Sequence, residues 1–397
     1  MTPGAPAEGA PSPAGRRALS SREVQALRAP KEPRDPWAPP PTLIEEERLP
    51  GGVGTAPALT VFLTGAECPF TCVFCDLWRH TLDGPTPPGA LAAQLEAALA
   101  AHPGLDLPTT VVKLYNASNF FDDRAVPPAD RRALARRLAG ARRVVVECHP
   151  RLVGASCYEL ARELGGRPGG EPATRPEDRA NGATGGAVLE VALGLETIHP
   201  GAFSRLGKGM DLAELGSAAA RLREGGIAVR AFVQVGLPFI PPEEAVDWAV
   251  ASVAHALEAG AGQVALIPTR AGNGALELLA ERGDFVPPAL ADLEQALERS
   301  LRLPGAGARA EPGAVVTADL WDLERFARCA SCLPARRERL RRMNLTGEPA
   351  PPVVCPACGE GQIETWAGPH PGLPPGEGGW GRPRPSVRRG EGRGEGR

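Results

Sequence analysis

Cys68, Cys72 and Cys75 stand close together in the segment GAECPFTCVFCDLW, directly after a short apolar run at 58–64. Three thiolates so near in sequence converge only where their loop wraps around something. A structural zinc site takes four ligands, and no fourth cysteine lies nearby in the chain. Three cysteines on a four-iron cluster leave one iron open to a further ligand. Phe70, Phe74 and Trp78 flank the thiols and could shield such a cluster from water. Two plainer readings compete: three buried structural cysteines, or zinc completed from a distance by a residue such as His80. Spacing and position after a strand favour the cluster.

A second set lies towards the C-terminus. Cys329-x2-Cys332 and Cys355-x2-Cys358 are two pairs joined by the spacer 333–354, a little longer than zinc sites usually carry. Pro356 and Gly359 are the residues that shape a thiolate knuckle. Zinc is the expected occupant, and an auxiliary iron–sulfur cluster would use the same four ligands. Between the pairs, Arg336, Arg337, Arg339, Arg341 and Arg342 form a basic run on a helix-like stretch. A solvated helix face is the plain reading of that run; contact with a nucleic-acid backbone is the sharper one. Arg388, Arg389, Arg393 and Arg397 in the tail alternate with Glu, which weakens the second.

The elements that must position these residues are legible as two alternating patterns. Short, Val-rich apolar runs lie at 58–64, 109–115, 143–147, 187–194, 227–236 and 263–268. Near-continuous apolarity over so few residues fits strands covered on both faces. Helical spacing lies between them: Leu91, Leu95, Ala98 and Leu99; Leu134 and Leu138; Tyr158, Ala161 and Leu164; Leu212, Leu215, Ala219 and Leu222; Trp248, Ser252 and His255; Leu276, Leu279 and Ala280. Strand and helix in alternation mean βα units and a parallel sheet. Periodicity alone does not choose between an open doubly wound sheet and a partial barrel.

C-x3-C-x2-C after the first strand, with Phe74 before the last cysteine, resembles the radical S-adenosylmethionine (radical SAM) superfamily. The resemblance spans roughly residues 55–285 and implies an α/β fold, a partial (β/α)6 barrel. It implies a 4Fe-4S cluster on Cys68, Cys72 and Cys75 whose open iron chelates S-adenosylmethionine. It also implies a 5′-deoxyadenosyl radical that abstracts hydrogen from a substrate, and an electron donor such as ferredoxin or flavodoxin. Where members usually carry a Gly-Gly-Glu-like segment for the methionine amino group, this chain reads YNASNFFD, with Asn116, Ser118 and Asn119. That departure resembles the archaeosine-forming branch. Gly169-Gly170-Glu171 is a false match, because it follows no strand.

Further along, Glu147-Cys148-His149-Pro150 resembles the Glu-x-Arg-Pro segment of the elongator catalytic subunit family, with His149 in place of Arg. The segment 190–197 resembles that family's Glu-x-Gly-x-Gln-Ser strand, which makes Glu196 a candidate for the ribose or methionine moiety of the cofactor. Leu206-Gly207-Lys208-Gly209 resembles its Asn-Arg-Gly turn. Val235-Gly236-Leu237-Pro238 matches the Gly-Leu-Pro beside the adenine, which brings in Gly236 and Pro238. Pro268-Thr269-Arg270-Ala271-Gly272 closes the sixth strand as Pro-Thr segments do there. Cys148 and Cys157 have no motif partner and read as barrel-interior thiols.

Four segments are expected over the 397 residues: a disordered stretch at 1–50, the barrel at 51–300 with a flexible insertion at 165–186, a small cysteine-rich metal-binding module at 315–366, and a disordered Gly/Pro/Arg-rich tail at 367–397. Asp319, Trp321 and Asp322 are placed to pack against the barrel mouth. A net charge of −3 argues against a whole-protein grip on nucleic acid. The start has no apolar signal core, and no stretch approaches the roughly 18–20 apolar residues of a membrane span. Cysteines gathered in C-x2-C and C-x3-C clusters suit a reducing compartment, so the expectation is a cytoplasmic metalloprotein without membrane contact. Three functions fit: radical chemistry on a tRNA nucleoside, the same oxidoreductase chemistry on a small metabolite or cofactor precursor, and a non-catalytic metal-binding scaffold.

Overall fold

The computed structural model describes residues 17–165, 186–307 and 313–359. The insertion (Gly165 and Gly186 apart), residues 360–366 of the expected module, and the tail lie outside them, as does the triplet 169–171. Among the described residues, eight strands form one sheet whose spatial order follows the sequence. They are β1 (Thr42–Arg48), β2 (Thr55–Phe62), β3 (Val111–Tyr115), β4 (Arg143–Cys148), β5 (Val188–Glu196), β6 (Ala228–Val235), β7 (Gln263–Pro268) and β8 (Val315–Ala318). β1 runs antiparallel to β2, and every later pair is parallel. The sheet curls into a nearly closed partial barrel of mixed strands, the α/β class expected. The six apolar runs are β2 to β7.

The described helices are α1 (Ser21–Ala26), α2 (Ala90–Ala100), α3 (Pro128–Leu138), α4 (Ala155–Glu163), the short α5 (Pro200–Phe203), α6 (Leu212–Glu224), α7 (Ala245–Glu258), α8 (Ala275–Glu281), α9 (Leu290–Ser300) and α10 (Leu333–Thr346). α1, α5 and α8 share an apolar cluster with Val73 of the cysteine loop, while α2, α3, α4, α6, α7 and α9 pack on the outer face. α6 shows why they form where they do. Asp211 caps its start, accepting from the Glu214 N–H at 2.7 Å while Glu214 accepts from the Asp211 N–H at 2.9 Å. Leu215, Ala219 and Leu222 then bury one face against the sheet. The turn at Gly225 lets the Tyr158 ring sit where a side chain would project. Burying a Leu of this kind contributes about 1.5–3 kcal/mol.

Strand alternation divides the core. Outward residues such as Val144, Val146, Val191, Leu193, Val233 and Leu266 pack under the helices in one large apolar cluster. Cys148 and Cys157 belong to this layer. They are therefore between sheet and helices, not inside the barrel, because Cys148 has outward parity on β4. Inward residues make a smaller apolar group, Ala56, Ala58, Val111, Val145 and Ala192, against Tyr115 and Phe232. Beside it, the lumen is ionic. Lys113 meets Glu45 and Glu47 at 2.6 Å each, Arg230 meets Glu47 at 2.5 Å and Glu190 at 3.0 Å, and Arg143 meets Glu190 at 2.7 Å.

Two segments differ from the sequence expectation. Residues 17–49, part of the stretch expected to be disordered, hold a helix from Ser21 and a strand from Thr42. β1 has no apolar period because its inward Glu45 and Glu47 are neutralised by Lys113 and Arg230 in the lumen. The strand rhythm also continues past residue 300, because Val315–Ala318 adds β8 beside β7. α10 lies against both edge strands, β1 and β8, and covers the remaining seam. The Gly51 N–H donates to the Gly313 carbonyl at 3.0 Å across the same gap.

Candidate metal centres and the polar mouth of the barrel

The loop bearing Cys68, Cys72 and Cys75 leaves the C-terminal end of β2 and is tied down from several sides. The Val73 N–H donates to the Leu206 carbonyl at 3.0 Å, and the Cys75 N–H closes a turn onto the Cys72 carbonyl at 3.1 Å. The Asn273 amide donates to the carbonyls of Val73 (2.8 Å) and Cys75 (3.3 Å), while its oxygen accepts from the Leu276 N–H. Gly207 passes so close to the loop that a Cβ would press on the Thr71 carbonyl at 3.0 Å. The thiols are poor acids as they stand: burial pushes Cys72 up to about 12 and Cys75 well above its usual value. Three half-buried thiolates side by side would need cationic compensation, of the kind a bound metal group supplies. His80 faces Arg34 across 3.3 Å rather than the cysteines.

The N-terminal segment covers this loop. Arg28 pairs with Glu67 at 2.6 Å, and the Lys31 ammonium meets Asp83 at 3.1 Å and the carbonyl of Leu82 at 3.3 Å. Trp78 is buried with the Arg28 and Arg79 guanidinium groups over its ring at 4.9 and 5.3 Å. Phe70 stacks on the His149 ring at 3.7 Å.

The strand-end residues expected at the cofactor lie at the C-terminal ends of β3 to β6. After β3, Ala117 takes a left-handed φ of 52°. The N–H groups of Asn116, Ala117 and Ser118 turn onto the Glu147 carboxylate, the first of them at 2.8 Å. Burial nonetheless raises Glu147 to about 7, the three N–H groups only partly offsetting it. Both ends of the Asn119 amide are engaged: its oxygen accepts from the His149 N–H at 2.6 Å, and its nitrogen lies 3.1 Å from Cys68 Sγ. His149 accepts at Nδ1 from the Arg151 N–H and donates from Nε2 to the Lys208 carbonyl at 2.9 Å, which fixes its neutral tautomer.

Glu196 follows a bulge in β5 and has a φ of 65°, a strained conformation for a non-glycine residue. Its Oε1 accepts from Lys208 Nζ at 2.7 Å, and the pair sits over Gly194, where a Cβ would collide with both. Four polar atoms here are buried without a protein partner: Asn116 Nδ2 and Oδ1, Ser118 Oγ, and Glu196 Oε2. Buried polar atoms of this kind call for a partner, whether water or a bound polar group. Gly236 and Pro238 are buried, with the Pro288 ring over Gly236 where its Cβ would be. Trp321 packs on Phe62 at 5.6 Å, and Asp319 pairs with Arg270 at 2.6 Å, so this segment does reach the mouth.

Sequence reasoning missed Asn273 and Lys208 as parts of this site. Asn273 follows directly on the Pro268–Gly272 segment, but its bonds go to backbone 200 residues earlier in the chain. Lys208 stood in a turn that was matched by family pattern and given no role.

The C-terminal thiols are the one group among the described residues whose candidate ligand atoms, three or more from Cys, His, Asp or Glu, all lie within 4.8 Å of one another. Cys329 and Cys355 are 4.0 Å apart at sulfur, as are Cys332 and Cys358. α10 starts immediately after Cys332. Two arginines of its basic run are consumed inside the molecule, while Arg341 and Arg342 are exposed. Arg336 is buried on Glu294 at 2.6 Å, and Arg339 is buried on Glu298 at 2.7 Å and on the Ala350 carbonyl. Arg337 pairs with Glu324, and Arg341 with Glu338.

No family model matches the sequence, and no curated protein matches it. Solved structures give distant likenesses. An N-terminally deleted Elp3 of the archaeon Methanocaldococcus infernus is 12% identical, with a TM-score of 0.43, over 64% of this chain and 58% of that one. A radical SAM methyltransferase of Sphaerobacter thermophilus is 16% identical, with a TM-score of 0.42, over 70% and 73%. Methylornithine synthase is 12% identical, with a TM-score of 0.42, over 85% and 96%. The chain thus spans less than two thirds of the Elp3 chain it resembles. Likeness at this level is silent on activity; it records structural similarity to radical SAM enzymes at low sequence identity.

Proposed function

We propose that this chain is a radical SAM enzyme, with a 4Fe-4S cluster on Cys68, Cys72 and Cys75 and S-adenosylmethionine at the open iron. The observation that carries the reading is a conjunction at one end of the barrel. A C-x3-C-x2-C loop held over the mouth meets unpartnered buried polar atoms on Asn116, Ser118 and Glu196 at neighbouring strand ends. Three thiols and these orphans fit a three-cysteine cluster with a polar ligand beside it. When bound, the cluster and S-adenosylmethionine supply a 5′-deoxyadenosyl radical, given one electron from a donor such as ferredoxin or flavodoxin.

The chain's own residues do the rest. Asn116 and Ser118 offer donors and acceptors to the amino-acid end of the cofactor, and the free oxygen of Glu196 accepts from an amino or hydroxyl group. Phe70, Trp78 and the segment around Arg28 and Lys31 exclude water from the loop. The test is anaerobic reconstitution with iron and sulfide, reduction with S-adenosylmethionine present, and assay of 5′-deoxyadenosine. Product that disappears on replacing any one of the three cysteines supports the reading. A loaded cluster that never cleaves the cofactor returns the scaffold alternative.

The C-terminal cysteines hold a single zinc ion in this reading. A tetrahedral site with bonds near 2.3 Å places its sulfurs roughly 3.8 Å apart, close to the 4.0 Å of both contacts. A four-iron cluster spreads its cysteines over separate irons and needs a wider set. As to substrate, the internal pairing of Arg336 and Arg339 takes two arginines out of the basic run that suited an RNA backbone. With that and the net charge of −3, a small metabolite or cofactor precursor is favoured over a tRNA nucleoside. A cofactor-cleavage assay stimulated by small-molecule extracts, and indifferent to added tRNA, checks the choice.

A further inference from the structure

We propose that Asn119 and the Lys208–Glu196 pair are positioning residues that set the reduction potential of the cluster bound by Cys68, Cys72 and Cys75. This rests on the cluster reading above and goes beyond it.

The Asn119 side chain has no freedom to turn around. Its oxygen is claimed by the His149 N–H at 2.6 Å, so its N–H2 must face Cys68 Sγ, 3.1 Å away. His149 is itself locked, stacked on Phe70 of the cysteine loop and bonded to the Lys208 carbonyl. The donor is therefore built into the fold, in a residue only 3% exposed.

Lys208 brings a full positive charge to the same place. Gly207, its neighbour, lies against Thr71 and Cys72, and the Lys208 side chain is only 6% exposed. Glu196 offsets part of that charge through its 2.7 Å ion pair. Reduction adds one electron to the cluster. N–H···S bonds and a nearby cation stabilise the more negative state, whereas a nearby carboxylate opposes it.

The experiment is an anaerobic dithionite titration of the reconstituted full chain, followed by electron paramagnetic resonance without S-adenosylmethionine. Asn119→Asp keeps the acceptor for His149 but loses the donor, and should lower the midpoint. Lys208→Met should lower it too, by at least a tenfold change in the reduction equilibrium, which is 59 mV for one electron. Glu196→Gln should raise it, and Lys208→Arg should stay near wild type. Opposite signs from the two halves of one ion pair are not what a purely structural role produces. Midpoints that coincide, or shift alike, across variants with full iron and sulfide overturn the proposal and leave the cluster reading standing. Failure of the unaltered chain to assemble a cysteine-dependent cluster sinks the cluster reading instead. Should Asn119→Asp lose its cluster, the two signed shifts at Lys208 and Glu196 still decide.

Discussion

The side-chain amide of Asn344 makes both bonds that a neighbouring strand would make to Ala318. Its oxygen accepts from the Ala318 N–H and its nitrogen donates to the Ala318 carbonyl, each at 2.8 Å. Ala318 ends the last strand of the sheet, so one side chain of α10 stands where a ninth strand would begin. The exposed edge is thereby satisfied and the helix is fixed over the seam beside β1. Asn344→Leu leaves two backbone groups unpaired and should cost roughly 2–4 kcal/mol. Asn344→Asp keeps the acceptor and should cost less. Urea denaturation gives the energies, and amide exchange at β8 shows whether the loss is local.

The same helix carries the four-cysteine group proposed to hold zinc at its start, and two of its arginines hold it to α9. Replacing Cys355 and Cys358 together with Ser should therefore remove one zinc per chain and lower the unfolding midpoint. Where free zinc stands a thousandfold above its dissociation constant, the stability at stake is about 4 kcal/mol. Metal analysis should show the iron on Cys68, Cys72 and Cys75 unchanged. Iron falling with the zinc would show that the C-terminal set holds a cluster.

Much of this was open to reading from the sequence, and the exceptions share a cause. β2 to β7 announce themselves because both faces are covered and their side chains are apolar. β1 hides because its inward side chains are carboxylates whose partners, Lys113 and Arg230, lie on strands far along the chain. β8 is only four residues long. The cysteine groups stand out because their spacing is of the kind that metal ligation imposes. The roles of Asn273 and Lys208 are not, since they depend on which backbone and which carboxylate the fold brings near. The basic run of α10 misleads by charge while its period tells the truth. Arg336, Arg339, Leu340 and Met343 are the buried residues of that helix, an inward face by spacing that happens to include two arginines.

The ionic lumen makes its own prediction. Arg230 bridges Glu47 and Glu190, both nearly inaccessible. Its charge and that of Lys113 hold Glu47 well below the usual carboxylate range despite burial. Arg230→Met leaves those carboxylates uncompensated and should cost about 3–5 kcal/mol. Adding Glu190→Gln to that variant should recover part of the loss, a coupling that a double-mutant cycle measures directly. Equal losses in the single and double variants would mean that the cost is one of packing.

Glu147 and His149, two residues apart, are shifted in opposite directions, and the signs give a pH test. Burial raises Glu147 from 4.5 to about 7, against the pull of three backbone N–H groups. Burial, with the charges of Lys208 and Arg151, lowers His149 from 6.5 to about 4, against its bond to the Lys208 carbonyl. Between about pH 4.5 and 7 the folded chain keeps a proton on Glu147 that the unfolded chain releases, so this residue makes stability fall as pH rises. Between about pH 4 and 6.5 the unfolded chain holds a proton on His149 that the folded chain lacks, so this residue makes stability rise with pH. The two slopes oppose each other over their shared window. Relative to wild type, Glu147→Gln should gain stability as pH rises from 4.5 to 7, and His149→Gln should lose it from 4 to 6.5. The slope is at most about 1.4 kcal/mol per pH unit in each case. Urea midpoints at half-unit steps, all below the range where free thiols ionise, read both slopes. Flat differences for both variants would mean that neither burial shifts its group.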